Sequence, residues 1–202
     1  MSAKTFDNDA AHGKKAPSLE NLEFVQGEAL QYSEKLTVVL FWSKISKDEY
    51  KTFVQFSKVA DKYEKDVQFI GVCLDPSKKD VEGYLSKKGT EMKELEVDNL
   101  ECSYPVAYDE GKKVRGEFQS LANLLTIGSG MVFVVDKSGT IVWREQFSRM
   151  FMPNTKGQLT SQLDLLIAGK KVEYKNGDKE EEEESEEEEM GGDGDFEDPF
   201  DF

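Results

Sequence analysis

The sequence predicts an α/β domain built around one central sheet, and three observations carry that prediction. Short β-branched and aromatic runs alternate with segments whose apolar residues recur at helical spacing. The run Thr37-Val38-Val39-Leu40-Phe41-Trp42 has no polar break after Thr37, as expected of a strand buried on both faces. Met131–Val135 and Thr140–Trp143 flank Asp136-Lys137-Ser138-Gly139, a loop with glycine where positive φ is needed, and read as a hairpin. The order strand, helix, strand, helix, strand, helix, hairpin, helix implies a mostly parallel central sheet with an antiparallel hairpin edge, flanked by helices.

The elements follow in order. Residues 1–12 are polar and read as a disordered arm. From Gly13 the chain becomes structured, with Leu19, Leu22, Phe24 and Val25 leading to a turn at Gln26-Gly27 between two short strands. After Trp42, Ser46-Lys47-Asp48-Glu49 matches a capping box. Phe53, Val54, Phe56, Val59, Ala60 and Tyr63 then continue a helical face. Val67–Cys73 is the next strand. Asp75-Pro76-Ser77 starts a helix with Val81, Tyr84 and Leu85 on one side. Residues 89–101 form an acidic connection, Tyr104–Tyr108 a short strand, and Val114–Leu125 a helix weakened by Gly116. A last amphipathic helix spans about residues 157–168. Three units result: the arm 1–12, a domain over 13–174, and an acidic disordered tail over 175–202.

Charge separates the tail from the body. The formal net charge is −15, from 41 acidic and 26 basic residues. Residues 178–202 hold fifteen acids and one lysine, so the rest of the chain is close to neutral. A polyanionic tail repels nucleic acid and anionic lipid and favours a basic protein surface. The N-terminus shows no apolar signal region, no run approaches a membrane span, and there are only two cysteines, Cys73 and Cys102. Those features predict a cytoplasmic protein without a membrane span or nucleic-acid partner. One histidine and two separated cysteines do not make a metal ligand set, and no glycine loop cradles a phosphate. No metal, cofactor or small-molecule substrate is expected.

Five segments resemble the redoxin branch of the thioredoxin-like superfamily, which includes thiol-disulfide interchange proteins, tryparedoxins and peroxiredoxins. They are Gly13-Lys14-Lys15-Ala16-Pro17, Val38-Val39-Leu40-Phe41-Trp42, Phe69–Asp75, Tyr104–Asp109 and the hairpin Phe133–Trp143. The resemblance implies a thioredoxin-like fold with the branch-specific insertion. It also implies a reactive pair after the strand ending in Trp42, in the pattern Trp-Cys-x-x-Cys-Lys. Here that stretch reads Trp42-Ser43-Lys44-Ile45-Ser46-Lys47, with serine at both sulfur positions. The cis-proline that the family places before its hairpin is replaced by Gly130. Serine cannot form a disulfide, and the lone His12 lies in the arm, away from any role as its base. The resemblance therefore implies an oxidoreductase fold that is no enzyme: a redox-inactive module for protein interaction, or a subunit of a cytoskeletal or ciliary assembly. Two alternatives stand beside it: a reductase whose cysteines are mutated, and an acidic chaperone for a basic client.

Cys73 reads as a core residue and Cys102 as a loop thiol, too far apart for a bridge. In the tail, Ser185 lies between glutamate runs and suits an acid-directed kinase. Phe196, Phe200 and Phe202 alternate with acids and are the candidate docking residues for a protein partner with a basic or grooved surface. Asp198-Pro199-Phe200 also resembles the short motif read by clathrin-adaptor appendage domains.

Overall fold

The structure is a computed structural model, and it describes residues 4–5, 9–32, 35–43, 47–86, 102–146 and 158–173. Seven strands form one sheet: β1 (Lys4–Thr5), β2 (Glu23–Gln26), β3 (Leu36–Trp42), β4 (Val67–Cys73), β5 (Val106–Tyr108), β6 (Met131–Val135) and β7 (Ile141–Gln146). Their spatial order is β1-β7-β6-β3-β4-β5-β2. The α-helices among the described residues are α1 (Lys47–Tyr63), α2 (Lys78–Leu85), α3 (Lys113–Leu121) and α4 (Leu159–Ile167). The sheet is mixed. β3, β4 and β5 run parallel, while the β6–β7 hairpin and the two edge strands are antiparallel to their neighbours. The antiparallel part thus extends beyond the expected hairpin, because short edge strands add to both sides.

β3 lies at the centre because every one of its seven residues is buried. Its side chains alternate between two cores, as the period of a strand requires. Val38, Leu40 and Trp42 join Phe56, Ala60 and Tyr63 of α1, Val81 and Tyr84 of α2, and Leu159 and Leu163 of α4. Val39 and Phe41 face the other way, onto Val114 and Phe118 of α3 with Leu19, Leu22 and Ile127. Phe41 meets the rings of Phe118 and Phe133 edge-on, at 5.4 and 6.0 Å. Two caps fix the helices. Ser77 Oγ accepts the Asp80 N–H at the start of α2. The buried Asp109 carboxylate accepts the Val114 and Arg115 N–H groups at the start of α3, at 3.2 and 2.7 Å.

The N-terminal arm corrects the sequence reading. Lys4 and Thr5 pair with Gln146 and Glu145 as an edge strand. Ala11 is fully buried, and Gly13 and Ala16 donate to the carbonyls of Ile141 and Gly139. The Asp9 carboxylate forms a buried ion pair with Arg144. A polar arm can be ordered when one of its carboxylates neutralises a buried guanidinium, and its composition alone does not show that. The predicted Gln26-Gly27 turn also resolves differently. β2 does not pair with β3. It crosses to the far edge and pairs with β5.

Candidate functional site

In an open α/β sheet the ligand-facing end is the carboxyl end of the parallel strands. Here β3 and β4 end together, with Trp42 level with Cys73. The antiparallel hairpin brings the start of β6 and the end of β7 to the same end, with Met131 level with Gln146. Backbone and side-chain hydrogen bonds tie these ends together. Leu74 N–H donates to the Trp42 carbonyl at 2.7 Å, and Gly130 N–H to the Phe41 carbonyl at 2.8 Å. Ser43 N–H donates to Ser129 Oγ at 3.2 Å, and Gln146 Nε2 to the Ser129 carbonyl at 3.0 Å.

Ser43 is only 3% exposed, and its hydroxyl oxygen has no hydrogen-bond partner among the described residues. It follows β3 directly. Ser46 lies outside the described residues, as do Ser185, Phe196, Phe200 and Phe202.

Gly130 stands beside Ser43, where the resemblance places a proline. Its φ is +85° and its N–H is engaged by Phe41. Proline can supply neither that dihedral nor that donor. Glycine is thus a different local solution for entering β6, one that anchors the loop to β3 by a backbone bond. No cis peptide occurs among the described residues.

Trp42 closes the other side of this end. Its ring lies 5.4 Å from that of Tyr84, and its indole covers Gly71, where a Cβ would come within 2.9 Å of Trp42 Nε1 and of the Tyr104 ring. Neither cysteine is in a disulfide. Cys73 is 1% exposed and donates to Asp75 Oδ2 at 3.0 Å. Cys102 donates to the Tyr104 carbonyl at 3.2 Å, and burial pushes its thiol up to about 11.

Two charged residues at this end escaped the sequence reading, which stopped the last strand at Trp143. Arg144 and Glu145 extend β7 and point into opposite cores. Arg144 pairs with Asp9, lies 5.9 Å from the Phe133 ring, and is pushed down to about 10 by burial. Glu145 is fully buried, and its Oε2 accepts the Gln158 N–H at 3.2 Å, just ahead of α4. Burial pushes its carboxyl up to about 7, against the opposing pull of the Trp143 indole and the N–H groups of Gln158 and Leu159. Among the described residues no group of three or more His, Cys, Asp or Glu is placed to hold a metal. No described helix is long and apolar enough to cross a membrane.

The model of the AhpC/TSA family matches residues 12–144. The chain belongs to the AhpC/TSA family. Similar solved structures share its fold at low identity. The reduced 2-Cys peroxiredoxin of Plasmodium vivax superposes with a TM-score of 0.60 at 13% identity, over 79% of this chain and 98% of that one. An uncharacterized conserved protein of Geobacillus kaustophilus gives 0.57 at 21%, over 87% and 92%. A thiol:disulfide interchange protein of Chlorobium tepidum gives 0.55 at 20%, over 77% and 96%. No curated protein matches the chain.

Membership confirms the redoxin branch and the thioredoxin-like fold. It also corrects the expectation that this chain is no enzyme. Proteins that share its fold include a 2-Cys peroxiredoxin and a thiol:disulfide interchange protein. The lack of a Cys-x-x-Cys pair does not by itself take a member out of catalysis.

Proposed function

We propose that this member of the AhpC/TSA family acts as a protein-interaction module. The redoxin body supplies a rigid surface. The acidic, aromatic tail over residues 178–202 engages a protein partner with a basic or grooved surface, through Phe196, Phe200 and Phe202. The observation that carries this reading is the tail, which offers a partner fifteen acids and three phenylalanines within 25 residues. Ser185, set between glutamates, is the proposed site for adding further negative charge. A cytoplasmic assembly of cytoskeletal or ciliary type is the proposed setting, by fold-level analogy alone.

Affinity capture from native cells with the whole chain and with residues 1–177 tests this reading. The whole chain is expected to hold a stoichiometric partner that the shortened one loses. Equal recovery by both, or by neither, refutes it. A second reading, an acidic chaperone for basic clients, rests on the same tail charge. It predicts many clients, all released by moderate salt, where docking of phenylalanines predicts one partner that resists salt.

A further inference from the structure

We propose that a groove at the opposite end of the sheet is the seat of this chain's own C-terminal segment, Asp195–Phe202. The groove encloses about 480 Å³. Leu36 at the start of β3, Val142 of β7, and Leu166 and Ile167 of α4 give it apolar walls. Ile167 is 39% exposed, and it and Leu125 are the large apolar side chains that stand exposed among the described residues. A pocket of this size with aliphatic walls suits an aromatic side chain.

The rim offers lysines to an acidic segment. Lys137 and Lys170 line the groove, and Lys171 follows in the chain. Lys15 reaches the same turn, where its Nζ donates to the Ser138 carbonyl. Asp136 also lines the groove, but its carboxylate is turned into its own loop. There it accepts from the N–H and hydroxyl of Ser138 and from the N–H of Thr140. Asp66 is the remaining acid of the lining. The segment Asp195-Phe196-Glu197-Asp198-Pro199-Phe200-Asp201-Phe202 offers the complement, aromatic rings for the walls and carboxylates for the lysines.

The position of the chain exit makes the match intramolecular. Gln162 of α4 is buried, and its amide clamps the backbone of Glu173 on both sides. Nε2 donates to the Glu173 carbonyl at 2.7 Å, and Oε1 accepts the Glu173 N–H at 2.8 Å. Glu173, the last described residue before the tail, therefore lies alongside α4, whose far end lines the groove. α4 has nine residues, about 14 Å of helix. The 22 residues from 174 to 195 span about 25 Å as a coil, and more when charged. The leash reaches the groove, and a leash of that length gives an effective concentration on the order of millimolar.

The proposal goes beyond the docking role assigned to the tail. It gives that tail a resting place, from which a partner must draw it. Its test needs no partner. Amide NMR spectra of the whole chain are compared with those of the whole chain carrying Phe196→Ser, Phe200→Ser and Phe202→Ser. The expected result is a set of shift differences at Leu36, Val142, Ile167 and Lys170 that does not change with protein concentration. Ile167→Asp and Lys170→Glu, each in the otherwise native chain, are expected to move the tail phenylalanine signals to their positions in an unstructured peptide. Shift differences that avoid the groove, or none at all, overturn the proposal. So do differences that grow with concentration, which make a second copy the occupant.

Discussion

Glu145 offers a test of the structure that needs no partner and no substrate. Its side chain is fully buried, and burial raises its pKa from 4.5 to about 7. A carboxyl whose folded pKa is raised holds its proton more tightly in the folded state. Between pH 4.5 and 7 the folded chain therefore binds more protons than the unfolded one, and stability falls as pH rises. The stabilising contribution is present below the unfolded pKa and is lost as pH rises through 7. The shift of roughly 2.5 units corresponds to about 3 kcal/mol in full, with about 2–3 kcal/mol of it lost between pH 5 and 8. Glu145→Gln keeps the shape and the acceptor for the Gln158 N–H while removing the titration. Urea unfolding at several pH values reads the outcome. The native chain is expected to lose about 2–3 kcal/mol more than the variant between pH 5 and 8. Parallel pH profiles for the two proteins refute the buried placement of Glu145.

Other consequences follow from single contacts. Asp9→Ala removes the carboxylate that faces the buried Arg144 guanidinium, and is expected to cost about 3–5 kcal/mol in denaturant unfolding; Asp9→Leu with Arg144→Met is expected to recover much of that loss. Gly130→Ala places a side chain at φ +85° and is expected to cost about 1–2 kcal/mol. Gly130→Pro also removes the donor to Phe41 and is expected to cost more than the alanine variant in the same assay. The Cys102 thiol, pushed up to about 11, is expected to react with iodoacetamide at pH 7.5 about 100-fold or more slowly than an ordinary cysteine, followed by mass spectrometry.

The parts of this fold legible in the sequence are those whose information is local. β4 was readable over Val67–Cys73 because a short apolar run can be buried on both faces only as a central strand. The hairpin was readable from its loop residues, and α2 from the Pro76-Ser77 start. The arm was not, because its order depends on Arg144, 135 residues away. The burial of Ser43 was also hidden. The resemblance fixes an order of residues, but not how deeply each side chain is buried. Arg144 and Glu145 lie past Trp143, where the sequence reading ended the hairpin. Each is buried because a separate segment, Asp9 for one and the start of α4 for the other, supplies a partner from outside the strand.

The most direct test of the proposed interaction role separates aromatic docking from charge. Phe196→Ser, Phe200→Ser and Phe202→Ser leave all fifteen tail acids in place. Captured from native cells at physiological salt, the native chain is expected to retain a stoichiometric partner, and the triple variant to lose at least about 10-fold in recovery, or 1.4 kcal/mol. Undiminished recovery by the triple variant would contradict the account.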